Sequence, residues 1–278
     1  MGRRVVAFAP GHISGYFQRV DGTTTGTTGS LGAGIVISRG VRLIMSEADS
    51  SCISIKNSTD DGWLIKEVLR TLGVSASVTV DAEMPIGAGF GMSAAGLLAS
   101  YHAANRLFDL GYSDAELTAL AHDFEVRHGT GLGDVAAASG GGIVVRTSAG
   151  IEGVEKRIFT DEPIYAVSFG AISTPDIITS PEKMEKVREA FPACEPNDLG
   201  SLMENSRSFA EKSGLLTPRL KEILAACDAE NIQASMTMLG EGIFAFGKDA
   251  KSILSKFGEV YTLSVSKTGP VILEDSYV

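Results

Sequence analysis

The 278 residues are 44% hydrophobic and 21% charged, with a net charge of −10, a core-forming mixture long enough for one large domain or two modest ones sharing a site. That acidity makes nucleic acid and anionic membrane surfaces poor partners, although a local site can still oppose the global charge and take a small anion. No apolar stretch is long enough for a bilayer crossing. The three cysteines, Cys52, Cys194 and Cys227, show neither metal spacing nor a disulfide framework, which points to a reducing cytoplasm.

The opening run, Met1 to Pro10, carries two arginines and too short an apolar stretch for a secretory leader; residues 4–9 are predicted as the first strand. Apolar, β-branched segments at 33–38 and 41–47 flank Arg39-Gly40 and predict a hairpin. Strands are expected at 51–56 and 75–81. Between them Trp63, Leu64, Val68, Leu69 and Leu72 recur at helical spacing up to Gly73. After a loop at 82–92, a helix is predicted from Ser93 to Phe108, with Gly111 as its stop. Ser113-Asp-Ala-Glu116 reads as a capping box opening a helix to His128. A strand follows at 142–147.

From about residue 155 the pattern changes. A strand at 163–169 precedes mostly helical sequence, with Ser180-Pro181 and Thr217-Pro218 as start signals. Helices are expected at 181–191, 198–213, 218–230, 232–239 and 249–257, and extended segments at 243–246 and 260–266. The class is α+β: a strand-rich region over 1–155 and a helix-rich one over 156–278. No internal repeat or low-complexity linker is visible.

Glycine, 32 residues in all, clusters at 22–40, 87–96 and 129–142, which usually marks backbone that bends sharply or approaches a ligand closely. The strongest signal is Pro85-Ile-Gly87-Ala88-Gly89-Phe90-Gly91-Met92-Ser93-Ala94-Ala95, after a strand and opening a helix. Alternate glycines strip side chains from the bend, so N–H groups can converge on an anion. The first helical turn adds unpaired N–H groups and a positive dipole end. Phosphate is the natural guest, with Ser93 placed to touch it or a Mg²⁺ ion upon it. No lysine follows the second glycine, so this is not the common P-loop. Gly89-Phe-Gly91-Met-Ser-Ala94 fits the dinucleotide pattern only in isolation, because no βαβ unit with an acidic strand end follows and Asp109 ends a helix. A bare strand-to-helix connection is the alternative, but it does not need three glycines and a serine.

These residues resemble the second motif of the GHMP kinases, P-x-G-x-G-[LF]-G-x-S-[AS], met at every specified position from Pro85 to Ala94. Ala9-Pro10-Gly11-His12 stands for that family's first motif. The resemblance implies a ribosomal-protein-S5-like N-terminal domain and a ferredoxin-like C-terminal domain, with ATP between them and its phosphates on the glycine loop. The third, glycine-rich motif is degenerate. Met238-Leu-Gly240-Glu-Gly242-Ile-Phe-Ala245, placed after a helix and before a strand, is its best counterpart, with Lys267-Thr268-Gly269 as a second candidate.

Phosphoryl transfer needs charge neutralised on the phosphates and a group that orients or deprotonates the attacking hydroxyl. The resemblance assigns Glu125 to Mg²⁺, together with Ser93, and Asp134 to the base. Local readings compete: Glu125 as a solvated helix residue, and Asp134 as the cap of a helix starting near Val135. Arg127 is the nearest cation, with a surface role open to it. His128 suits a helix C-terminus, and His102 and His122 read as packed or surface residues.

The stretch Ala9-Pro-Gly-His12-Ile-Ser14-Gly15-Tyr-Phe17 and the segment Thr28-Gly29-Ser30-Leu-Gly32-Ala33-Gly34 resemble the archaeal pantoate kinases, a branch of the same family. This implies ATP-dependent conversion of (R)-pantoate to 4-phosphopantoate, toward coenzyme A. His12, Ser14, Ser30 and Gly240 are the candidate substrate contacts, against a reading in which the Gly and Ser residues serve only a turn. The expected partners are ATP, Mg²⁺ and pantoate, with association as a homodimer left open. The alternatives are another GHMP kinase, of homoserine or mevalonate type, and a non-catalytic ligand-binding protein of this fold.

Overall fold

Two antiparallel strands far longer than the sequence predicts organise the chain. In the computed structural model, which describes residues 2–172 and 180–277, β1 runs Arg3–Val20 and β2 runs Gly29–Glu47. They are followed by β3 (Cys52–Ile55), α1 (Trp63–Leu72), β4 (Ala76–Ala82), α2 (Met92–Leu107), α3 (Asp114–His128), α4 (Asp134–Ala138), β5 (Ile143–Arg146) and β6 (Val154–Ile158). Next come β7 (Ile164–Ala171), α5 (Pro181–Ala190), α6 (Leu199–Lys212), α7 (Pro218–Ala229), β8 (Gln233–Met236), β9 (Gly240–Phe246), α8 (Ala250–Leu254), β10 (Tyr261–Leu263) and β11 (Val271–Tyr277). A seven-stranded sheet has the order β11-β1-β2-β4-β3, with β5 on β2 and β6 on β5. A four-stranded sheet has the order β10-β7-β9-β8.

The start signals act as their chemistry predicts. Ser113 Oγ accepts from Glu116 N while the Glu116 carboxylate accepts from Ser113 N at 2.8 Å. Ser180 and Thr217 cap α5 and α7, each followed by its first-turn proline. Helix α2 is buried almost all round. Its Ala94, Ala95, Gly96, Ala99, Ala103 and Ala104 are small enough to let it lie directly on β1 and β2, so the glycine loop leads into the most rigidly held helix of the molecule. No helix among the described residues is long and apolar enough to cross a membrane.

Three expectations are corrected. Arg39-Gly40 is not a hairpin turn. Pro10 pairs Gly40 and Gly11 pairs Ile37, so Ser38 and Arg39 bulge out and β2 continues. A proline inside a strand has no N–H to donate, and a bulge is where it is tolerated. Ser38 N donates to Ser264 O and Ser266 N to Val36 O, tying β2 to the stretch between β10 and β11.

The segment expected to be helical at 232–239 is instead strand β8 and a turn. Its ladder with β9, Gln233↔Phe246 to Met236↔Ile243, outweighs weak local propensity. The degenerate third motif therefore joins two strands and does not follow a helix. Strand β6 pairs β5 in the first sheet. Strand β11, not anticipated, returns to the first sheet beside β1, so the second unit is bracketed by the first. One apolar core runs through both.

Candidate active site

The glycine loop alternates two faces. Ala88, Phe90, Met92 and Ala94 are buried, while Gly87, Gly89, Gly91 and Ser93 line a cleft. The three glycines have φ of 76°, 81° and 67°, left-handed values that side chains rarely adopt. Space forbids side chains as well. A Cβ on Gly91 would lie 2.8 Å from His12 N, and one on Gly89 2.8 Å from Met238 O. The loop is pinned from both sides: His12 N donates to Phe90 O at 2.9 Å, and Thr237 Oγ1 to Ala88 O at 3.2 Å. Gly91 caps α2 without a side-chain bond, so the N–H groups of the first turn stay available for an anion. Pro85 precedes the loop, half-buried.

Opposite lies the N-terminus of α4. Asp134 is its first residue and does not cap it; its carboxylate turns instead to β1. His12 Nδ1 is 2.7 Å from Asp134 Oδ1, and Ser14 Oγ donates to the same oxygen at 3.4 Å. Burial works to raise the Asp134 carboxyl. The hydrogen bond from His12, the Arg146 guanidinium and Ser14 outweigh it and hold Asp134 below the usual carboxylate range. Burial in turn lowers His12, against the pull of Asp134. Neutral His12 with its proton on Nδ1 beside an ionised Asp134 satisfies both. Among the described residues His12 Nε2 has no hydrogen-bond partner, and it abuts Gly34, where a Cβ would overlap the ring. His12 thus lines the cleft beside Asp134.

The cation that does face the cleft is Arg146, which sequence reading missed. It ends the apolar run Ile143-Val144-Val145, is 3% exposed, donates to the Gly133 carbonyl and lines the cleft with Ser30. A charge closing a buried strand was the one available signal, since burying a guanidinium costs free energy unless something uses it. Arg127, the cation nearest the motifs in sequence, is instead an exposed ion pair with Asp123.

Glu125 does not line the cleft. It is 1% exposed, and its oxygens meet His122 Nδ1 at 3.0 Å and Val135 N at 3.4 Å. Burial pushes this carboxyl up, against the bonds from His122 and Val135. His122 Nε2 faces the Thr28 carbonyl at 3.0 Å and must donate there, so His122 and Glu125 share the remaining proton between them. Glu125 stands directly behind Gly131, where a Cβ would come within 2.7 Å of Oε2. Through Val135 N it holds the start of α4. Gly240 is also outside the cleft, pressed so closely on Ala88 that a Cβ would overlap its carbonyl. Its neighbours Met238 and Leu239 line the cleft instead. Lys267 pairs with Asp161 on the surface.

Beyond Ser93 the cleft adjoins an apolar pocket walled by Val41, Ile55, Trp63, Val80, Ile86 and Met92. Trp63 and Ile86 are 43% and 44% exposed, so part of this apolar wall stays open.

Comparison with known proteins agrees with this geometry. Residues 62–142 match the GHMP kinases N terminal domain. A pantoate kinase of Methanospirillum hungatei is 43% identical over 97% of this chain and 96% of its own. The chain belongs to the GHMP kinases. A second pantoate kinase, from Methanocaldococcus jannaschii, is 32% identical, covering 89% of this chain and 96% of the relative. A solved structure described as a phosphotransferase related to the CoA biosynthesis pathway superposes with a TM-score of 0.78 at 27% identity, covering 97% and 98% of the two chains. A homoserine kinase from Cytophaga hutchinsonii, at 16% identity and a TM-score of 0.63, covers 97% of each and shares the fold. The α+β architecture of this GHMP kinase is thus the family's own.

Proposed function

We propose that the protein is an ATP-dependent pantoate kinase, converting (R)-pantoate to 4-phosphopantoate. One observation carries the reading: an ionised carboxylate, Asp134, and a buried guanidinium, Arg146, share one cleft with a bare glycine loop. The full-length likeness to pantoate kinases supports the choice of alcohol.

The residues fit a nucleoside triphosphate. Backbone N–H groups of Gly87–Ala94 would receive the phosphates, and the apolar pocket at Trp63 would receive the base. Mg²⁺, carried in on the nucleotide, would neutralise charge on the phosphate oxygens. Among the described residues no three metal-binding side chains converge, which suits an ion held chiefly by phosphate and water with Ser93 beside it. Glu125, one layer back, would set the loop at Gly131 rather than touch the ion.

Pantoate would lie with its carboxylate toward Arg146 and Ser30 and its terminal hydroxyl toward Asp134. Asp134 would accept the hydroxyl proton as the oxygen attacks the terminal phosphorus and the bond to the leaving ADP breaks. His12 and Ser14 would fix the carboxylate's direction and keep it ionised. Release of ADP, measured with pantoate, homoserine and mevalonate in parallel, tests this. Turnover with pantoate at least tenfold above the others is expected, and preference for either of the others refutes it.

A further inference from the structure

The turn Thr237–Gly240 replaces the glycine-rich third motif, and its backbone is unusual. Among the described residues, the non-glycine positions with positive φ are Asn57, Asp109, Asn231 and Leu239. Asn and Asp tolerate that conformation because their short polar side chains bond locally; Leu has no such compensation. Glycine would accept this backbone, and the close approach to Ala88 is made by Gly240, but the partly buried Leu239 side chain packs against the core. The side chain itself is what position 239 keeps.

That side chain faces the cleft. Met238 and Phe17 add further apolar surface to the cleft whose polar lining includes His12, Ser14, Asp134 and Arg146. Met238 N donates to Ser14 O at 3.3 Å, which fixes Met238 relative to β1. A substrate held here meets both charge and hydrocarbon. Pantoate carries both: a carboxylate and hydroxyls about a quaternary carbon bearing two methyl groups.

Resting on the pantoate reading, we infer that Leu239 and Met238 are specificity-determining residues that pack against the geminal methyl groups, and that the left-handed backbone at 239 is retained to aim that side chain. Loss of a methyl-sized contact in an apolar pocket changes discrimination by about 10- to 200-fold.

The test compares wild type with Leu239→Gly and Leu239→Asn, both of which accept the backbone. The substrates are pantoate and 2,4-dihydroxybutanoate, which lacks the two methyl groups. Wild type is expected to prefer pantoate in kcat/KM. Each variant should reduce that preference at least tenfold through KM for pantoate, with the melting temperature kept or raised in the glycine variant. An unchanged preference overturns the inference, as does an effect confined to KM for ATP, which would place Leu239 over the nucleotide. If wild type fails to use pantoate at all, the substrate reading itself falls, a result separable from the first.

Discussion

His12 Nδ1 stands 2.7 Å from Asp134 Oδ1, although 122 positions separate the two residues in sequence. The contact joins strand β1 to the N-terminus of α4, and both residues are lowered in the fold, His12 by burial and Asp134 chiefly by its bond from His12. His12 is held below its ordinary range mainly by burial, so between about pH 6.5, where an unfolded histidine titrates, and its lower folded value the unfolded chain binds more protons. Stability then falls as pH falls. Asp134, also lowered, adds a loss of the same sign at more acid pH. The melting temperature of wild type should therefore decline more steeply below about pH 6.5 than that of His12→Gln. Parallel curves would mean that His12 stays charged in the fold.

Asp134→Asn should lower kcat about 10²- to 10⁴-fold while nucleotide affinity, measured by titration calorimetry, stays within a few-fold. The amide preserves the shape and still accepts from His12 but cannot take the substrate proton. Undiminished turnover would remove Asp134 as the base.

Arg146→Met should raise KM for pantoate by about 10- to 150-fold, the worth of a charge-assisted hydrogen bond in a buried site. Arg146→Lys should recover only part of this. A point ammonium cannot hold the Gly133 carbonyl and a substrate carboxylate in one plane as the guanidinium does. Equal KM in all three proteins would show that the guanidinium is purely structural.

Trp63 is the single tryptophan of the chain. It lines the apolar pocket beside Ser93, with its ring stacked on Phe124 at 6.1 Å between centroids. Intrinsic fluorescence should therefore change saturably on titration with a non-hydrolysable ATP analogue and stay flat with pantoate alone. Trp63→Ala should raise KM for ATP several-fold. The opposite pattern, a response to pantoate only, would move the nucleotide base elsewhere.

Gly91→Ala combines a left-handed φ of 67° with a Cβ 2.8 Å from His12 N. Strain of about 1–2 kcal/mol should cost roughly 2–8 °C in melting temperature. Because relief requires the loop to withdraw from β1, ATP affinity should fall as well. Retained affinity would mean that the loop does not carry the phosphates.

Where chemistry is local, the chain could be read directly. The capping box at Ser113, the proline-led starts of α5 and α7, and the loop from Pro85 to Ala95 depend on neighbours a few positions away, and they form as expected. Longer-range competition defeated the reading at Arg39-Gly40, whose turn-like residues became a bulge opposite Pro10. The same held for Gln233–Met236, which became a strand because β9 offered it a ladder. Arg146 could not be singled out, since an arginine closing an apolar strand carries no mark of which cavity it will face.

Sequence alone thus determined that a side-chain-free bend leads into a helix start, because φ preference, steric bulk and unpaired N–H groups are properties of adjacent residues. The tertiary structure decided which charges that bend meets. It set His12 beside Asp134, turned Glu125 away to His122, brought Arg146 into the cleft and laid Leu239 along it. Those choices follow from strand register and burial, which bring together residues as distant in sequence as His12 and Asp134.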